Sequence, residues 1–181
     1  MRAGLDRLYL WSGYIAAACL VSIALTIVAQ ILGRFVGVAV DSTESAGFFL
    51  AGGTFFGLAH TFKQGEHIRV TLLTRLASGK LARIFDLWAI GFCAIGVAYL
   101  SFWAFDLVYD SYVFGDVSPG LLAMPFWIPR STVAAGTLIF CVALIDEFVR
   151  VARGTIPSYV ANATPVYEAD ASVTTRAGSD E

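Results

Sequence analysis

Acidic and basic side chains are absent from four long stretches of this chain: Leu8 to Gly33, Ser45 to Phe62, Leu87 to Phe105 and Ser131 to Ile145. Charged residues make up only 14% of the 181 residues and hydrophobic residues 57%, well above the apolar share of a soluble domain. A soluble globular fold is excluded by that balance, because no polar surface is left to cover a core. A helix needs about 20 mostly apolar residues to cross about 30 Å of hydrocarbon, and each stretch reaches that length or nearly so with its flanks. Ion- and proton-coupled carriers place charged or chelating groups at the depth of the membrane, and these four stretches offer none.

Cysteine is also scarce. Cys19, Cys93 and Cys141 each lie in a different apolar stretch with no C-x-x-C spacing, which excludes a disulfide framework and a cysteine metal site. They read as small buried hydrophobes. No nucleophile–base arrangement, phosphate loop or metal-ligand cluster is present, so no catalytic, cofactor-binding or metal-binding residue is expected. The formal charge of -2 is close to balance and names no partner. A cleaved signal peptide is considered because Arg2 and Arg7 precede an apolar run, but about 26 uncharged residues exceed the 7–15 of a signal core. The first stretch reads as a retained helix.

The basic residues that are present fall unevenly between the connections, which sets orientation in short-looped membrane proteins. Arg2 and Arg7 precede helix 1; Lys63, Arg69, Arg75, Lys80 and Arg83 lie between helices 2 and 3; Arg150, Arg153 and Arg176 follow helix 4. Only Arg34 and Arg130 lie on the other side, among Asp41, Glu44, Asp106, Asp110 and Asp116. The reading is an all-α integral membrane protein with four transmembrane helices at about 8–34, 45–63, 84–110 and 129–151, with both termini cytoplasmic. Residues 1–153 form the membrane domain. From 154 to 181 the chain is rich in Ser, Thr, Ala and Asp without periodicity, and a disordered cytoplasmic tail is expected.

Residues 66–78 carry Ile68, Val70, Leu72, Leu73 and Leu76 among charges, as an amphipathic helix on the membrane surface would. Arg69 falls inside the apolar arc, where a guanidinium must snorkel to lipid phosphate or meet a carboxylate. Between helices 3 and 4, Gly115, Pro119, Gly120, Pro125 and Pro129 break the chain around the apolar patch Leu121–Trp127, which reads as an interfacial or re-entrant element.

Helix 2 presents Gly53, Gly57 and Thr61 at i, i+4 and i+8. Small residues let helix backbones approach closely in lipid, so this face is expected to pack on a neighbouring helix, within the chain or in another subunit. His60 is the one histidine in an apolar stretch. His67, seven residues on, cannot ligate the opposite face of one haem, and a hydrogen-bonded interfacial histidine is expected instead. Asp146 lies about 24 Å along the helix from Arg130, at the inner interface rather than mid-membrane. Arg150, four residues on, is placed for an Asp146–Arg150 pair, and Asp106 sits at the outer end of helix 3. Small four-helix multidrug exporters share the helix number, but their coupling carboxylate lies deep in the first helix, where this chain has no acid.

The run Gly57-Leu58-Ala59-His60-Thr61-Phe62-Lys63-Gln64-Gly65-Glu66-His67-Ile68-Arg69-Val70 resembles the DctQ-like small membrane subunit of tripartite ATP-independent periplasmic (TRAP) transporters. In that family the second helix runs into a basic G-x-H-I-x-V segment followed by a leucine-rich stretch, here Thr71–Leu76. A carboxylate before helix 2, here Glu44, and a P-x-W-x-P entry to helix 4, here Pro125–Pro129, fit the same pattern. Thr71 departs from it, since many members carry an acid there. The resemblance covers roughly residues 5–153. It implies a three-part secondary transporter of the bacterial inner membrane, with a soluble periplasmic binding protein and a large membrane subunit as partners. The large subunit would hold the sodium and substrate sites, and this chain would be a scaffold beside it that helps dock the binding protein, with organic acids as cargo. Gly53, Gly57 and Thr61 are expected to serve subunit packing, His67 and Arg69 cytoplasmic anchoring, and Asp110, Asp116 and Arg130 periplasmic docking. The alternative is a stand-alone, homo-oligomeric carrier or channel.

Overall fold

The computed structural model describes residues 2–38, 41–64, 80–120 and 123–154. Four helices account for most of them: α1 (Arg2–Val36), α2 (Ser42–Gln64), α3 (Lys80–Phe114) and α4 (Trp127–Ala152). The expected surface helix at 66–78 and the tail beyond Gly154 lie outside the described residues. Beyond the helices, an isolated antiparallel bridge joins Val117 to Pro125.

Helix ends follow local chemistry. Gly37, at φ +76, ends α1 in the left-handed region; Val38 N–H donates to the Gly33 carbonyl at 2.9 Å and Gly37 N–H to that of Arg34 at 3.4 Å. This is the Schellman pattern, which a residue with a Cβ adopts only under strain. Gly115, at φ +66, ends α3 in the same way, with Asp116 N–H donating to the Ser111 carbonyl at 3.2 Å. At the start of α2 the Asp41 Oδ1 accepts from Thr43 N–H at 2.9 Å, an N-cap that brings Glu44 into the first turn rather than ahead of the helix. Once capped in these ways, α1 and α3 run past the expected spans at both ends. At 35 residues and 1.5 Å per residue each is about 50 Å long.

The helices pack in the order α1–α2–α4–α3, with only a light contact between α1 and α4. Along α1 and α2, Gln30 meets Ser42, Cys19 meets Gly53 and Tyr9 meets His60, so the two run antiparallel. Along α2 and α4, Gly52 meets Thr132, Phe62 meets Phe140 and Lys63 meets Asp146, so these two central helices are parallel. The α3–α4 pair is antiparallel, from Arg83 at the Val151 and Ala152 carbonyls to Tyr112 against Trp127.

Two long flanking helices packed on one side each leave much apolar surface open. Phe35 is 84% exposed on α1, and Trp88, Phe92 and Tyr99 are similarly open on α3. Cys93 is exposed on α3 as well, against the buried position expected for it, because α3 packs on α4 alone; Cys19 is half-buried and Cys141 buried. Among the described residues three helices are long and apolar enough to cross a membrane: α1, α3 and α4. The 23 residues of α2 have the length, but Ser42, Thr43, Glu44 and Lys63 make it less apolar. The buried hydrophobic cluster, with Tyr9, Ala59, Phe62, Ile90, Ala143, Leu144 and Val151, sits at the end of the bundle where α1 begins.

Candidate functional site

Small residues set the helix spacing. A Cβ added at Gly53 would stand 3.2 Å from Cys19 Cβ and 3.5 Å from the Ala16 carbonyl, and one at Gly57 would be 3.7 Å from Ala16 Cβ. The neighbour of this face is therefore α1 of the same chain. Thr61, at the end of the face, turns its hydroxyl back to donate to the Gly57 and Leu58 carbonyls at 3.1 and 3.2 Å. The tightest approach of one helix to another lies elsewhere: a Cβ at Gly136 of α4 would be 2.7 Å from Phe55 Cβ and 2.8 Å from its carbonyl carbon. A lone glycine in an apolar run carries no spacing signal, so Gly136 could not be picked out from the sequence.

Where α1 begins and α2 and α4 end, ionisable groups from the three helices converge. Lys63 Nζ donates to Asp146 Oδ2 at 2.7 Å and lies 4.0 Å from Glu147 Oε2. Arg150 approaches Glu147 at 3.9 Å, and the Glu147 carboxylate is fully buried. This corrects the expected Asp146–Arg150 pair. The helix turns Asp146 toward α2, where Lys63 reaches it, and Arg150 is left beside Glu147, three residues before it. Tyr9 packs its ring 4.9 Å beneath the Lys63 ammonium. His60 Nδ1 donates to the Tyr9 carbonyl at 3.2 Å, and Gln64 Nε2 lies 3.5 Å from the other ring nitrogen. Since a carbonyl only accepts, the proton is on Nδ1 and Nε2 is free to accept from Gln64. Lys63 and Arg83 read in sequence as ordinary orientation charges. Here Lys63 ties α2 to α4, and Arg83 caps α4 by donating to the Val151 and Ala152 carbonyls at 3.0 and 2.7 Å. His67 and Arg69 lie outside the described residues.

At the opposite end, residues 115–120 and 123–126 lie against each other as the two arms of a short hairpin. Phe126 N–H donates to the Asp116 carbonyl and Ser118 N–H to that of Met124, both at 2.9 Å. Asp116 and Arg130 form an exposed ion pair with each other at 3.1 Å, and Asp110 is exposed on α3. The Glu44 carboxylate occupies the space that a Cβ on Gly120 would take, which holds the hairpin against the first turn of α2. Ser42 Oγ donates to Gln30 Oε1 at 2.5 Å and Phe48 packs edge-on to Phe126, so α1, α2 and the hairpin meet at this end.

The ionisable groups thus gather at the two ends, and apolar, small and aromatic side chains fill the lengths between them. Among the described residues no group of His, Cys, Asp and Glu is placed to hold a metal ion. No curated protein matches the chain. Residues 23–154 match a family described as tripartite ATP-independent periplasmic transporters, DctQ component. The match takes in all of α2, α3 and α4 and the C-terminal part of α1, which is most of the molecule, and the chain therefore belongs to the DctQ family of TRAP-transporter components.

Proposed function

We propose that the chain crosses the bacterial inner membrane four times, with both termini in the cytoplasm, and acts as a scaffold beside a large transport subunit. On this reading the large subunit moves an organic acid with sodium, the chain itself needs no cofactor, and a periplasmic binding protein delivers the cargo. The observation that carries it is the pair of long flanking helices, α1 and α3, each packed on one side and apolar on the other. Such faces suit lipid on one flank and another membrane helix on the other. The contact between α2 and α4 is filled by Phe55, Phe56 and Gly136, which suits a rigid support better than a path for cargo.

Family membership supports the partnership. The uneven distribution of Lys and Arg supports the orientation, and counts α2 as a fourth crossing despite its lower hydrophobicity. Asp110 and the Asp116–Arg130 pair then lie on the periplasmic side, where the binding protein would meet them. The test is reconstitution. Purified chain in liposomes is expected to move no organic acid, and to restore sodium-driven uptake once the large subunit and binding protein are added. Uptake by the chain alone would overturn the scaffold role and favour the stand-alone carrier.

A further inference from the structure

Gly96 is the middle residue of the uncharged stretch Leu87–Phe105 in α3. Tyr99 lies only about 4.5 Å further along the helix, against about 15 Å from mid-membrane to the edge of the hydrocarbon. It is 67% exposed, on the side of α3 turned away from the face that buries Ile90 and Ser101 against α4. Among the described residues its contact is an edge-on ring against Trp103, with no hydrogen bond. A hydroxyl left in hydrocarbon is costly, and helical side chains lean toward the helix start, so this phenol leans back toward mid-membrane rather than out to water. Shorter hydroxyls on α1 escape the problem: Ser22 and Thr26 donate to the Ala18 and Ile23 carbonyls, both at 2.8 Å. A phenol is too long to reach its own helix backbone. Beside it the surface is notched, with Ala89, Cys93 and Gly96 exposed at i, i+4 and i+7, and a Cβ on Gly96 would meet nothing within 4 Å. Small residues at that spacing admit a second helix closely. The open face of α1 carries Leu20, Val21, Leu25 and Val28 instead, which suit lipid chains.

We propose that the open face of α3, centred on Gly96 and Tyr99, is where a transmembrane helix of the large transport subunit docks, and that the open face of α1 is left to lipid. The docked helix sits in the Gly96 notch and brings a hydroxyl, amide or carbonyl to the Tyr99 hydroxyl. Charge selects a different chain over a second copy of this one. Asp106 and Asp110 are exposed on the outer part of α3, and copies share one orientation in the membrane, so two α3 helices paired about a two-fold axis would set these acids against their own kind. A helix with a basic residue at that height matches them. The assignment rests on the scaffold reading above and names the face that carries it out.

Photo-cross-linking in membranes that hold both subunits tests the face. Benzoylphenylalanine placed at Ile95, 73% exposed on α3, is expected to capture the large subunit, and the same probe at Val21, 59% exposed on α1, to capture lipid. Capture of the large subunit from Val21 and not Ile95 would overturn the face while leaving the scaffold role intact. Capture of a second copy from Ile95 would overturn the choice of partner, and lipid alone at Ile95 would overturn docking there. Association is then measured by energy transfer between labelled subunits as liposome lipid is increased. Tyr99→Phe, which removes only the hydroxyl, should weaken it about threefold, the average effect of one hydrogen bond between membrane helices. Gly96→Leu, which fills the notch, should weaken it about tenfold. Both positions are open within the chain, so the unfolding midpoint of the chain alone is expected to stay the same. Unchanged association in either variant would overturn the site. The uptake experiment judges the scaffold role separately, because it does not depend on which face is used.

Discussion

Single side chains decide how closely these helices approach. At Gly136 even one methyl group would press on the backbone of Phe55 and Phe56, and backbone cannot turn aside as a flexible side chain does. Gly136→Ala is expected to destabilise the bundle by about 1–3 kcal/mol, the usual cost of overpacking a filled interior, read by unfolding in mixed detergent. An unchanged midpoint would mean that α2 and α4 are less tightly apposed than the distances state. Lys63 raises the opposite problem, since removing it leaves Asp146 and Glu147 without their shared cation. Lys63→Ala is expected to cost about 3–5 kcal/mol, the range found when one member of a buried ion pair is deleted. A double-mutant cycle with Asp146→Asn should give a coupling of about 0.5–3 kcal/mol, and additive effects would remove the pair from the account.

At the scale of elements, the caps show which boundaries were legible. α1 and α3 run on past the expected span ends at about 34 and 110 as far as Gly37 and Gly115, whose positive φ forms the C-terminal cap. Asp41-Ser42-Thr43-Glu44 carries an N-terminal signal, yet the expected span began three residues later than the helix, because a span is judged by charge and a helix by its cap. Asp41→Ala is expected to cost about 0.5–2 kcal/mol and to speed amide hydrogen exchange at Thr43 and Glu44 while leaving the middle of α2 protected. The face of Gly53 and Gly57 was legible as a close contact from its spacing, but not its neighbour. The partner of a small-residue face depends on which helix lies opposite, and α1 lies there. The Lys63–Asp146 contact joins positions 83 residues apart and left no local pattern to read. The Asp146–Arg150 pairing expected from i, i+4 spacing gave way to it because a cation on the facing helix lies nearer.

For the whole molecule, membership of the DctQ family makes the chain part of a transporter and not an enzyme. Its helix order, α1–α2–α4–α3, places the less apolar α2 at the centre and the long apolar α1 and α3 outside. Topology is the property to measure first. With Asp116→Cys in a background lacking the three native cysteines, a membrane-impermeant maleimide should label whole cells whose outer membrane is permeabilised. Arg153→Cys should be labelled only after the inner membrane is broken. The reverse pattern would turn the bundle over and move Asp110, Asp116 and Arg130 away from any periplasmic partner.

Composition and the spacing of charges were enough to determine that the chain is helical, built for a membrane, and sparing of ionisable groups along its helices. Those properties follow from the solvent, because hydrocarbon penalises charge and unpaired backbone wherever they occur in the sequence. Only the tertiary structure decided which residues act together. It set Lys63 on Asp146, Glu44 against Gly120, Arg83 on the end of α4, and Tyr9 beside His60 and Arg150. Each of these contacts joins separate helices or a helix and a distant loop, and depends on helix order, relative direction and rotation. Local periodicity leaves those three quantities open, and close packing of Gly53, Gly57 and Gly136 fixes them.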